Sequence, residues 1–250
     1  MPAPSPFRVP LVVRRATAEL LGTAFLVTAV VGSGIAAQRL SPRDTGLQLL
    51  ENSLATGAAL VALILALQPV SASFNPVVTL VERALGRVSG ADATVLVLAQ
   101  AVGGVVGAVV ANLMFDLDAV SVSTHHRADG GHLLGEVVAT LGLVVVVFGA
   151  LRSPRIETVA FAVGGYITAA YWFTSSTSFA NPAVTVARML SDTFAGIAPA
   201  SVPAFLLMQL VGGALGAGVV LLLQADRTGA SDSDSHPGAA DAGLIPEETP

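Results

Sequence analysis

Ser73-Phe74-Asn75-Pro76-Val77-Val78-Thr79 and Ser178-Phe179-Ala180-Asn181-Pro182-Ala183-Val184-Thr185 decide how this chain reads. Proline suits the first position of a helix, where its missing N–H costs nothing. Asparagine just before it is a favoured N-cap. Each stretch therefore opens a helix. Each helix runs only about ten residues before polar residues return, about 15 Å of rise, or half a bilayer. Each also follows a long apolar run and a Ser-rich stretch, so two half-helices enter a membrane from its edges.

Composition agrees with that setting. The chain has 250 residues, 53% hydrophobic and 12% charged, with mean hydropathy +0.75. Soluble domains carry about 25% charged residues. Apolar runs fall at about 16–38, 53–69, 93–115, 133–151, 156–174 and 202–223, each long enough to cross hydrocarbon. Glycine and alanine recur within them, as in Val102-Gly103-Gly104-Val105-Val106-Gly107-Ala108, and small residues let membrane helices pack closely. Net charge is −5 and the twelve basic residues, all arginine, form no run, so nucleic-acid binding has no electrostatic footprint. With no cysteine, disulfides and thiolate metal sites are excluded.

The organisation expected is a short cytoplasmic segment at 1–13, a membrane-spanning domain at 14–224 and a disordered acidic tail at 225–250. The tail's Ser, Asp, Gly, Pro and Glu cannot bury a core. Within the domain, repeat 1 covers about 15–115 and repeat 2 about 133–224. With six spans, Arg8, Arg14, Arg15, Arg83, Arg87, Arg152, Arg155 and Arg227 share one side, and Arg39, Arg43, Arg127 and Arg188 the other. The excess of arginine predicts cytoplasmic termini.

The halves echo each other. Ala18-Glu19-Leu20-Leu21-Gly22-Thr23 matches Gly135-Glu136-Val137-Val138-Ala139-Thr140, and Gln100-Ala101-Val102-Gly103 matches Gln209-Leu210-Val211-Gly212. Three spans per half is odd, so the second half lies inverted. Inverted repeats place a solute site near the midplane, often at broken helices. The two half-helix starts meet there, and each carries roughly half a positive charge. A path lined by them repels cations, while the Asn amides donate to a passing hydroxyl.

With these motifs the chain resembles the major intrinsic proteins, the aquaporin and aquaglyceroporin channels, over about residues 15–224. The resemblance implies an all-α membrane fold of six spans plus two re-entrant half-helices in an inverted 3+3 repeat. It implies a channel, not an enzyme, without cofactor or metal, forming a homotetramer in the inner (plasma) membrane. Pore lining falls to Asn75, Pro76, Val77, Asn181, Pro182 and Ala183, and loop bracing to Glu19 and Glu136.

The departures concern selectivity. The first motif ends in Val77, and Ser73 stands where the family usually has His. The arginine that usually follows the second motif is Val184. Arg188, a helical turn later, is read as marking the half-helix end, as Glu82 does in the first half. Carried over by position, the filter is Thr56, Ser178, Val184 and a fifth-span residue, Ala169 without gaps or Tyr171 with a two-residue gap. With Ala169 the ring is wide and neutral. It resembles a bacterial arsenic-resistance branch in which the filter arginine is also lost. The expected solutes are glycerol-like polyols and metalloid hydroxides such as arsenite, with water. The alternatives are a water-selective channel and an ion-coupled transporter, for which only Glu19 and Glu136 supply midplane charge.

Other groups have plainer readings. Gln100 and Gln209 tie helices, Trp172 belongs to an interfacial belt, and His125, His126 and His132 lie in a solvated loop. No metalloprotease, nucleophile-elbow or phosphate-loop motif is present.

Overall fold

The computed structural model describes residues 9–224; residues 1–8 and the tail expected at 225–250 lie outside the described residues. Among the described residues eight α-helices follow in order: α1 (Leu11–Leu40), α2 (Thr45–Leu67), α3 (Pro76–Ala84), α4 (Gly90–Met114), α5 (Gly130–Ala150), α6 (Glu157–Phe173), α7 (Pro182–Ala187) and α8 (Val202–Gln224). Among the described residues there is no strand. Five of the long helices are apolar and long enough to cross a membrane. The 17-residue α6 rises about 25 Å and completes the six.

Helix edges extend beyond the apolar runs because polar caps set them. Asp44 accepts the Leu47 N–H and starts α2 eight residues before the apolar run. Ser89 and Asp129 cap α4 and α5 in the same way. Helix α1 starts directly after Pro10, so Leu11 to Val13, placed by the sequence reading in the short N-terminal segment, already belong to it.

The packing has the symmetry of the repeat. Helix α1 packs on α4 and α2; α5 packs on α8 and α6. Helices α2 and α6 join the two halves. The closest approaches need glycine. A side chain at Gly103 or Gly107 would meet the backbone of α1, at Leu20 and Ala24. At Gly216 it would lie 2.8 Å from Val144 Cβ and 2.9 Å from the Leu141 carbonyl. Gly103 and Gly107, and Gly212 and Gly216, are small residues four apart on a helix face, the pattern that lets membrane helices approach.

Candidate pore and filter

The two short helices are built alike. Asn75 Oδ1 accepts the Val77 N–H at 2.9 Å and caps α3. Asn181 Oδ1 accepts the N–H groups of Ala183 and Val184 at 3.0 and 3.2 Å and caps α7. The amides then reach across the repeat. Asn75 Nδ2 donates to the Ala180 carbonyl and Asn181 Nδ2 to the Phe74 carbonyl, each at 2.7 Å. Their oxygens are thus occupied by the caps, and one N–H of each amide joins the motifs.

The crossing requires an unusual backbone. Phe74 and Ala180, each just before its Asn, have φ of 47° and 46°, a left-handed conformation costly for non-glycine residues. It turns each N–H towards a buried carboxylate and each carbonyl towards the opposite Asn. Glu19 accepts from the Ser73 and Phe74 N–H groups, the Ser71 hydroxyl and Gln100 Nε2. Glu136 accepts from the Phe179 and Ala180 N–H groups and Gln209 Nε2. Both carboxylates are fully buried, and hydrogen-bond donors must offset that burial. Gln100 also donates to Thr79, and Gln209 to Thr185, which fastens each long helix to a half-helix.

This register differs from the sequence echo. Matching letters pair Phe74 with Phe179. The backbone pairs Phe74 with Ala180 and Ser73 with Phe179, because the carboxylates grip the two residues directly before each Asn.

A cavity of about 690 Å³, counted with its open mouth, runs past both motifs. Its lining is mostly apolar, with Val30, Leu60 and Ile64 from α1 and α2 and Leu143, Val147, Val163 and Ile167 from α5 and α6. The polar side chains Ser73, Asn75, Ser178 and Asn181 come from the two motif segments. Thr56, Val184, Tyr171 and Arg188 also face it. Tyr171 is buried, and its hydroxyl lies 3.2 Å from Thr56 Oγ1.

Two expectations are corrected here. Ala169 is exposed on the outer face of α6 and does not face the cavity. Val163, Ile167 and Tyr171 recur every four residues on the inner face, and Ala169 is about 200° away from Tyr171 around the helix. The recurrence is visible in the sequence and was the signal that would have chosen Tyr171. Arg188 does not merely end a half-helix. It lies four residues after Val184, on the same face, where α7 tightens into a 3-10 turn. Its side chain is 2% exposed, its Nε donates to the Ala195 carbonyl, and its guanidinium carbon stands 3.4 Å from the centre of the Phe179 ring. Beside Thr56, Ser178 and Val184 the cavity lining therefore holds an aromatic ring and a guanidinium, where the sequence reading has a small apolar residue and no charge.

The segment beside Arg188 is held from outside. Arg127 donates to the carbonyls of Gly196 and Phe194 and also lies over the Phe179 ring, at 5.4 Å from its centre. The Thr124 N–H and hydroxyl donate to Asp192, holding its carboxyl below the usual carboxylate range. Of the loop histidines, His132 pairs with Asp129 at 2.5 Å, and His125 lies 3.8 Å from Asp192. Among the described residues no group of three or more metal-binding side chains forms. Trp172 is exposed, with its indole N–H on Ser53.

Known proteins agree with this geometry. The family described as Major intrinsic protein matches residues 7–158. The aquaglyceroporin AqpS of Rhizobium meliloti (strain 1021) is 48% identical over 200 residues, covering 80% of this chain and 85% of the relative. The chain belongs to the major intrinsic protein family. Aquaporin Z of Photorhabdus laumondii is 26% identical over 233 residues, 86% of this chain and 99% of that one. The X-ray structure of the aquaglyceroporin from Plasmodium falciparum superposes with TM-score 0.65 at 20% identity, covering 87% of this chain and 97% of that one, which shows the fold. As a member of the family, the chain is a multi-pass membrane channel for small solutes and not an enzyme.

Proposed function

We propose that the chain conducts small uncharged hydroxylated solutes, glycerol-like polyols and metalloid trihydroxides such as arsenite, along with water. The mixed lining of the lumen carries this reading. A polyol presents both carbon and hydroxyls, and the cavity offers apolar side chains from the long helices and hydrogen-bonding ones from the motif segments. The name of the relative from Rhizobium meliloti supports the polyol class.

In this reading Thr56, Tyr171, Ser178, Val184 and Arg188 form the filter, with Asn75 and Asn181, set by Pro76 and Pro182, as donors at the midplane. Val77 and Ala183 complete the motifs, and Glu19 and Glu136 brace the loops. Arg188 has no acidic partner within 4 Å among the described residues. It lines the lumen, and in this reading its N–H groups other than Nε donate to the solute, while its charge adds to the half-helix dipoles against cations.

The bilayer is the inner membrane, with both termini cytoplasmic. Arg14, Arg15, Arg83, Arg87, Arg152 and Arg155 favour that orientation, and the case strengthens because Arg188 is buried in the site and leaves the opposite loops only Arg39, Arg43 and Arg127. Four copies associate, one lumen each.

Stopped-flow light scattering on proteoliposomes tests the solute class, with glycerol, water and arsenite arms. Glycerol and arsenite flux well above that of protein-free vesicles supports it. Water flux alone makes the chain a water channel. A dependence of solute flux on a proton or sodium gradient indicates coupled transport. Crosslinking in the membrane counts the subunits.

A further inference from the structure

Outside the lumen, Glu82 occupies an unexpected position. It lies in the last turn of α3, where the helix dipole disfavours an acidic residue, so helix stability does not account for it. It does not line the cavity. It stands behind Ser73, whose hydroxyl donates to Glu82 Oε2 at 3.0 Å. The Ser73 N–H is taken as well, by Glu19 Oε1 at 2.9 Å. The charges acting on Glu82 are Arg15 and Arg87, of one sign, and Glu19, of the other.

We propose that Glu82 is a positioning residue that fixes the hydrogen-bond polarity of the α3 end of the lumen through Ser73. The step is elementary. An ionised carboxylate only accepts, so the Ser73 hydroxyl hydrogen points to Glu82 and away from the lumen. Only its oxygen lone pairs face a solute. This end of the path therefore accepts hydrogen bonds and does not donate them.

The other half carries the complementary device at the same offsets. Ser73 and Glu82 stand two before and seven after Asn75; Phe179 and Arg188 stand two before and seven after Asn181. In both halves the later residue contacts the earlier one. A guanidinium only donates, and the two Asn oxygens are occupied by caps. The solute thus meets donors at the Arg188 end and at the centre, and acceptors at the Ser73 end. A hydroxyl satisfies both ends with one group. A solute that only accepts is disfavoured at Ser73. The inference rests on the channel reading and adds the chemical rule by which it selects.

The test is a double-substitution cycle in proteoliposomes, with protein-free vesicles subtracted. Flux of dimethyl sulfoxide, which only accepts, is compared with that of glycerol for the wild type, Glu82→Met, Ser73→Ala and the double variant. Freeing the Ser73 hydroxyl in Glu82→Met should raise the dimethyl sulfoxide to glycerol ratio about threefold or more. In the Ser73→Ala background Glu82→Met should add nothing, since coupling through a shared partner is non-additive. An unchanged ratio in Glu82→Met overturns the inference, and so does an equal effect in both backgrounds. Ser73→Thr, which keeps the hydroxyl, should retain the wild-type ratio where Ser73→Ala raises it. That pair decides the matter alone should Glu82→Met not assemble, and a wild-type ratio in Ser73→Ala overturns the inference. Absence of glycerol flux in the wild type is a different failure, that of the channel reading beneath it.

Discussion

Arg188→Met removes the buried charge and keeps most of the stem. It loses the bond to the Ala195 carbonyl, worth about 1.5–3 kcal/mol for a charged donor. It also loses the stack on Phe179, worth about 2 kcal/mol when desolvated. Against these, a cation without an acidic partner within 4 Å is no longer buried, a burden of several kcal/mol. The terms are similar and opposed, so the fold should survive. The permeation term has no such opponent. A unit charge about 6 Å from a cation in the lumen raises its energy by about 3 kcal/mol at an effective dielectric constant of about 20. That corresponds to roughly a 150-fold effect on passage. Water in the lumen screens part of it, and the two half-helix dipoles remain. The expected rise in proton leak is about tenfold to a hundredfold. Proteoliposomes holding a pH dye, driven by a potassium diffusion potential, measure the leak, and stopped-flow scattering measures glycerol flux on the same preparation. Arg188→Lys keeps the charge and should stay near the wild type. A leak in Arg188→Met within twofold of wild type, at undiminished glycerol flux, refutes the electrostatic reasoning.

Four further outcomes follow. Tyr171→Ala should raise flux of a four-carbon polyol relative to water several-fold by removing the ring beside Thr56, whereas Ala169→Leu, on the outer face, should leave the ratio unchanged. Glu136→Gln keeps one accepting oxygen for donors now shared between two; an unpaired buried N–H costs about 1–3 kcal/mol, so thermal unfolding in detergent should occur several degrees lower. The Thr124 donors depress the Asp192 pKa, so that link is complete above the unfolded value near 3.9 and lost as pH falls through the lower folded value. Hydrogen exchange at the Thr124 amide, corrected for intrinsic rate, should be flat from about pH 5 to 8, rise only in stronger acid, and rise at every pH in Asp192→Ala. Gly216→Ala, crowding Val144 and Leu141, should cost about 1–3 kcal/mol, while Gly218→Ala meets nothing within 4 Å and should leave the melting temperature unchanged.

The fold was legible because local chemistry writes it. Asn-Pro pairs announce helix starts regardless of what surrounds them, and six apolar runs count the crossings. The edges were less visible, since hydropathy fades in the polar first turns that Asp44, Ser89 and Asp129 cap. The filter was legible only in part, because it is assembled through space. Position-by-position transfer from the family finds Val184 after the second motif and stops there. A helix, however, offers the same face again four residues later, and there Arg188 lines the cavity.

Position in space, not identity of letter, also explains why the echo of the two motifs misled. The Phe of each motif seemed equivalent, yet the buried carboxylates fix register by gripping N–H groups, which every residue here supplies. Phe74 packs at the close approach to Gly22, while Phe179 becomes the platform for Arg188. Glu82 and Arg188 share an offset that marks two half-helix ends. Backbone position alone gives them the same role, but charge gives them opposite ones. A repeat of this kind copies geometry faithfully and leaves chemistry free to diverge, so symmetry locates such a pair while the donors and acceptors around it determine what each end of the path selects.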